Sequence, residues 1–221
     1  MAAGLRSSAA CSGKRGKMAR YIGPKCKRCR KSREKLFLRG EKCLSDKCVL
    51  MKRGEIPEVR GRRRVSAYSI QLREKQKLRM MYGILETQFH NYLTRAAKSK
   101  NTAATLVILL ERRLDNVVFR MGFANSRAQA RQFVRHGLIT VNGRRINIPS
   151  YLTDAGDIIG VKGEDSMKVV AAILANKQQP GMSWLTVAAD RGVGTVVRQP
   201  SPEDVKDIPC NTQLIVELYS K

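Results

Sequence analysis

Apolar positions fall into distinct regimes along the chain. Between residues 19 and 64 they are scattered without period, and the segment reads as loops and knuckles rather than regular elements. From 66 to 100 Leu78, Met81, Ile84, Leu85, Phe89 and Tyr92 recur at spacings of three and four, as one helix face requires. Thr102 can cap a second helix, whose apolar set of Leu106, Leu109, Leu110, Leu114, Val117, Val118 and Met121 runs to Gly122. Ser126 with Gln129 matches a capping box and Gly137 a C-terminal cap, so a helix is expected over 127–136. Strands at 138–141 and 144–148 then flank Asn142-Gly143, the dipeptide whose tolerance of positive φ favours a two-residue hairpin turn. Further short strands are expected at 157–161, 185–187, 195–197 and 214–218, with an Ala- and Val-rich helix at 167–177 that Pro180-Gly181 breaks. No internal repeat is visible. The succession predicts an α+β fold.

Charge changes this picture more than any other property. The 221 residues hold 43 Lys and Arg against 18 Asp and Glu, a formal net charge of +25. The excess lies in residues 1–149, with 36 basic and 9 acidic side chains; residues 150–221 hold 7 and 9. Such self-repulsion disfavours compaction unless a polyanion lies alongside. No segment approaches the ~20 apolar residues of a membrane-spanning helix, so nucleic acid is the better candidate partner than a membrane. Residues 1–17 lack both acidic side chains and an apolar centre, which argues against an ordinary secretory signal; a disordered or dispensable tail is expected there.

The segment 125–145, NSRAQARQFVRHGLITVNGRR, concentrates the charge. Wound at about 100° per residue, Arg127, Arg131 and Arg135 fall within roughly 80° of one another, opposite Phe133. The expectation is a helix that buries Phe133 and presents an arginine ladder, extended by Arg144 and Arg145 on the hairpin. Arg135 and His136 would also suit a helix C-terminus through its dipole. The helix segment QLREKQKLR offers Arg73 and Lys77, although Glu74 is placed to pair with Lys77.

Four of the six cysteines cluster as Cys26-x2-Cys29-x13-Cys43-x4-Cys48. Two close pairs can complete a tetrahedral thiolate site, which suits zinc, with an iron–sulfur cluster as the alternative. Lys25, Lys27, Arg28, Arg30, Lys42 and Lys47 stand nearby to favour the thiolates.

The run 111–159, ERRLDNVVFRMGFANSRAQARQFVRHGLITVNGRRINIPSYLTDAGDII, resembles the small α+β RNA-binding module named after the fourth small-subunit ribosomal protein. MARYIGPKC, SIQLREKQKLRMMYGILE and QLIVELYSK extend the resemblance to that ribosomal protein family itself, in its bacterial or organellar form, over residues 18–221. It implies a tail at 1–17, a basic arm with the metal knuckle at 18–64, a mainly helical domain from 65–107 plus 176–221, and an inserted RNA-binding module at 108–175. Cysteine-bearing members carry the metal cluster, which supports a structural ion. Direct binding of small-subunit rRNA at a helix junction of the 5′ domain, early subunit assembly, a place at the messenger entrance with an effect on accuracy, and contact with neighbouring small-subunit proteins three and five are all implied. Expected RNA contacts are Arg112, Arg113, Arg127, Arg131, Arg135, His136, Asn142, Arg144 and Arg145 in the module, Arg73 and Lys77, Arg28 and Arg30, and Arg60, Arg62, Arg63 and Arg64 toward the messenger. The chain departs from the family beside this last group: 56–61 reads IPEVRG where a Pro-Gly-Gln-His-Gly-like stretch is usual. A ribosome in the bacterial cytoplasm is the expected location, with an organellar ribosome as the alternative.

No phosphate-binding glycine loop ending in Lys-Ser or Lys-Thr, and no Gly-x-Ser-x-Gly, occurs, and there are only two histidines, His90 and His136. An enzyme is not expected. An RNA-modifying enzyme carrying the module as an accessory would need a catalytic domain for which there is no room. A zinc-knuckle DNA-binding regulator would need a recognition helix near the cysteines, where 33–38 is a short candidate.

Overall fold

The computed structural model describes residues 21, 23–52, 66–175, 182–188, 192–205 and 208–220. The expected tail at 1–17, and Arg60, Arg62, Arg63 and Arg64, lie outside the described residues.

Two apolar cores organise what is described. The first is helical. Helix α1 (Lys25–Ser32) and the single turns α2 (Glu41–Leu44) and α3 (Val49–Lys52) form the arm. They are followed by α4 (Ala67–Tyr82), α5 (Glu86–Ala96) and α6 (Thr102–Glu111). Leu78, Phe89, Ala96, Leu106 and Leu110 are its fully buried centre, and Leu36 of the arm inserts into it with no exposed surface. The helical stretch expected over 66–100 is interrupted because Gly83 takes the left-handed conformation (φ 65°), and Ile84 N–H closes back on the Arg79 carbonyl.

The second core lies between a sheet and two helices, α7 (Leu114–Arg120) and α8 (Arg127–Arg135). Strands β1 (Ile139–Val141), β2 (Arg144–Arg145), β3 (Ile158–Val161), β4 (Leu185–Ala188) and β5 (Val193–Val196) form one antiparallel sheet in the order β2-β1-β3-β5-β4. Ile139, Val141, Ile159, Leu185 and Val196 meet Val117, Val118, Met121, Ala130, Val134 and Trp184. Gly194 admits Met121 to the sheet face: a Cβ there would stand 2.7 Å from the Met121 sulfur. Helix α9 (Glu164–Ala175) contributes Val170 to this core. Asn142 (φ 49°) and Gly143 (φ 79°) make the expected hairpin turn.

Three expectations need correcting. The helix expected from 102 to 121 is two, α6 and α7, because the segment 149–153 intercepts its backbone. Leu114 N–H donates to the Tyr151 carbonyl, Asp115 N–H to that of Pro149, and the Arg112 carbonyl accepts from Thr153 N–H. The module also reaches beyond 175, since β5 pairs with β3 and β4 with β5, giving residues 185–188 and 193–196 to its sheet. Finally, 214–218 is not a strand but part of α10 (Thr212–Tyr219), capped by the Asn211 side chain. Its β-branched residues suggest a strand in isolation; burial of Ile215 against the helical core overrides that preference.

Candidate RNA-binding surface

Helix α8 is set by its caps. Ser126 Oγ accepts from Gln129 N–H at 3.3 Å, while Gln129 Oε1 accepts from Asn125 N–H at 2.8 Å, one residue before the position a capping box uses. Its buried stripe is Ala130 and Val134, with Phe133 only partly covered. The helix is thus turned by a large fraction of a residue step from the orientation that buries Phe133. At about 100° per residue, Arg127 lies roughly 40° from the centre of the buried stripe, Arg131 roughly 80° and Arg135 roughly 120°. Arg135 is exposed, but the side chains of Arg127 and Arg131 are each only 14% exposed.

Arg127 and Arg131 therefore do not form a free phosphate-facing ladder with Arg135. Arg127 Nε donates to Asn116 Oδ1 at 2.6 Å, Nη2 stands 3.9 Å from Glu111, and the guanidinium lies over the rings of Phe119 (4.7 Å) and Tyr82 (4.9 Å). Arg131 Nη1 donates to Asp115 Oδ2 at 3.2 Å. Arg113 has no exposed surface; it grips both Asp115 oxygens, at 3.0 and 2.7 Å, and donates to Tyr92 Oη at 2.9 Å. Arg112 is drawn to Asp154 and the Thr153 carbonyl. Lys77 is buried between Glu34 (2.7 Å) and Glu74 (2.6 Å), so the pairing with Glu74 prevails over an RNA contact.

These pairs converge on two acids that sequence patterning does not single out. Glu111, with no exposed surface, accepts from Tyr82 Oη, from Asn116 Nδ2 at 2.6 Å and from Arg120 Nε and Nη2, both at 2.9 Å. Burial pushes its carboxyl up, but the hydrogen bonds and charge of Arg120, the charge of Arg127 and the Tyr82 hydroxyl outweigh this, leaving it below the usual carboxylate range. Burial and the Glu111 charge hold the Tyr82 phenol well above its ordinary value. Tyr82 belongs to α4 and Tyr92 to α5, so both hubs tie the helical core to the module. A signal was available: Glu111 and Asp115 are two of only 9 acids in residues 1–149, set among Arg112, Arg113 and Arg120.

What remains outward is a group of basic residues at the end of α8 and on β2. Arg135 and His136 end α8, while Arg144 and Arg145 lie on β2, and all four are exposed. Arg145 joins the two groups by folding over Gly137 and donating from Nη2 to the His136 carbonyl at 3.0 Å. Asn142 is exposed, but its amide is engaged, donating to Asp157 Oδ1 and accepting from Ile158 N–H. Arg73 on α4 and Arg30 on α1 are exposed on other elements. Arg28 lies 3.7 Å above the Tyr21 ring.

Gly137 is needed for that arrangement, having φ 68° and a Cβ position 1.9 Å from Arg145 Nε. Gly137→Ala should displace Arg145 and strain the cap, costing about 1 kcal/mol or more of stability. Thermal unfolding together with RNA titration checks this; unchanged values in both would mean the cap adapts freely.

The cysteines meet in one place. Cys26 and Cys29 share a face of α1, Cys43 lies on α2, and Cys48 precedes α3. Their side chains line a common cavity of about 20 Å³, room for about one water-sized sphere. Arg39 N–H donates to Cys43 Sγ at 3.4 Å. The Cys29 thiol is pushed up by burial, against a hydrogen bond from the Leu36 backbone, with further upward contributions from Cys43, Cys26 and Cys48. The donor set therefore fits a thiophilic ion in kind. In position it is looser: among the described residues no three His, Cys, Asp or Glu side chains are gathered closely enough to hold a metal. The helix beside these cysteines is α1 itself, not the 33–38 segment.

Comparison with known families decides what this architecture is. A model described as the ribosomal protein S4/S9 N-terminal domain matches residues 20–111, and one described as the S4 domain matches 112–159. The small ribosomal subunit protein uS4 of Thermosipho africanus is 48% identical, over 92% of this chain and all of the relative. The chain belongs to the uS4 family. The uS4 protein of Maridesulfovibrio salexigens is 50% identical and the uS4A protein of Symbiobacterium thermophilum 49%, each again over 92% of this chain and the whole relative. The boundary between the two uS4 family matches falls at 111/112, where α6 gives way to α7 and the Glu111 hub begins.

Proposed function

We propose that the protein is a structural constituent of the small ribosomal subunit that binds its rRNA directly through the face formed by Arg135, His136, Arg144 and Arg145. The observation carrying this reading is that these side chains stay outward while neighbouring arginines are neutralised by Glu111 and Asp115. A helix end and a hairpin tip present several cations on rigid elements, which suits phosphate contacts that position a protein on folded RNA. Membership of the family supports a reading in which it binds a helix junction of the 5′ domain early in assembly, touches small-subunit proteins three and five and borders the messenger entrance. The bacterial origin of these relatives favours a cytoplasmic ribosome. Titration of a 5′-domain transcript and an equal-length DNA duplex across a salt series tests the reading. Preference for the transcript with a steep salt dependence is expected; equal binding to both would sink it.

In the same reading the four cysteines hold a structural zinc ion, an iron–sulfur cluster being the alternative, which would fasten the arm's short turns where little core is available. Zinc would supply no reaction here, only fixed geometry. Metal analysis of protein purified without added metal should give one zinc per chain, and a Cys26→Ser/Cys29→Ser variant none. Stoichiometric free thiols without metal in the unaltered protein would refute this.

A further inference from the structure

A second recess lies where three parts of the chain meet: the arm, the end of α4 and the start of α8. Its volume is about 340 Å³, near the lower end of the roughly 300–1,000 Å³ typical of small-ligand sites. Aromatic and aliphatic groups form one side, with Phe37, Met80 and the Tyr21 ring; Lys25 and Arg28 bring positive charge to the mouth. Arg131, whose Nη1 is held by Asp115, also lines it.

Two features show that the rim is prearranged. Phe37 adopts φ 49°, a left-handed conformation rare for a bulky residue, and holds a ring that is 44% exposed. Tyr21, 42% exposed, is fixed between Arg28 on its face and Gly23, where a Cβ would stand 2.6 Å from the phenol. Exposed aromatic rings beside cations, around a recess of this size, match the needs of an unstacked nucleotide: a π-face to stack and a phosphate to neutralise.

We infer that this recess takes one flipped-out nucleotide of the bound RNA, its base against Phe37 and Tyr21 and its phosphate at Arg28 and Lys25. The inference rests on the RNA-binding reading above but uses a different surface from the α8–hairpin face.

The test uses the full chain bound to the 5′-domain transcript. Ultraviolet cross-linking with peptide mapping should join a single nucleotide to Tyr21 or Phe37, and chemical probing should show that nucleotide becoming unstacked on binding. Tyr21→Ala/Phe37→Ala should lose the cross-link and weaken binding by about tenfold to a hundredfold. Both residues are exposed, so circular dichroism and the melting temperature should stay near those of the unaltered protein. Gly23→Ala, which displaces the tyrosine while keeping both rings, should reduce the cross-link as well. If the unaltered chain binds the transcript tightly but no nucleotide cross-links to either ring, and the double variant binds equally well, the nucleotide site is wrong while the RNA-binding reading stands. If the unaltered chain does not prefer the transcript, both fall together.

Discussion

Replacing Glu111 by alanine should destabilise the protein by about 3–5 kcal/mol, because it strips the carboxylate from a buried hub that Arg120 and Arg127 both approach. Arg120 would lose both of its 2.9 Å contacts, Asn116 its 2.6 Å acceptor and Tyr82 its hydroxyl's partner. For a chain of this size that is a fall in melting temperature of roughly 6–20 °C. Glu111→Gln keeps the volume and should still lose most of it, since a neutral amide cannot compensate Arg120. The same group sets a pH dependence. Its carboxyl is held below its ordinary value in the fold, so its contribution is complete above the unfolded value of about 4.3 and is lost as pH falls through the lower folded value. Urea unfolding at neutral pH and between about pH 5 and 2 measures both effects. Equal stability of Glu111→Ala and the unaltered protein at pH 7 would show that the hub relaxes or hydrates without cost.

The other large effect concerns RNA. Arg135→Ala/Arg144→Ala/Arg145→Ala removes three cations from the outward face and should lower the slope of log affinity against log salt by about 2–3. At moderate salt this corresponds to a loss of about a hundredfold or more, with the melting temperature nearly unchanged because these side chains are exposed. Arg127→Ala should do the reverse, costing stability first, since its guanidinium is packed on Phe119 and Tyr82 and bonded to Asn116. Filter binding and thermal unfolding on the two variants separate the roles. If Arg127→Ala lost RNA affinity without losing stability, the inward arginine would have to be returned to the binding face.

Much of this design was legible in one dimension. The N-cap of α8 and the Asn142-Gly143 turn are local signals, and the structure forms both; the cysteine spacing is as local, and it brings the four side chains to one small cavity. The errors have a common origin in partners distant in sequence. Arg127 and Arg131 look like a surface ladder until Glu111, Asp115 and Tyr82 arrive from α4, α6 and α7. The break between α6 and α7 depends on hydrogen bonds from residues some forty positions downstream. The strand-like composition of 214–218 yields to a helix only because Ile215 finds the core of α4 and α6. Period and propensity report what a segment prefers alone, and charged residues in particular change meaning when a buried acid is folded beneath them.

The position of α10 bears on the order in which a growing chain can mature. The sheet and helices of the module are complete once residue 196 has emerged, whereas the helical core lacks Ile215 until the last described helix is made. Because domains fold as units during synthesis, the module can settle first while the surface of α4 that α10 will cover stays open. That delay leaves a window in which an unfinished chain displays oily surface beside a strongly cationic one, a combination that invites chaperone capture or clumping with stray RNA, and it ends only when the final helix docks.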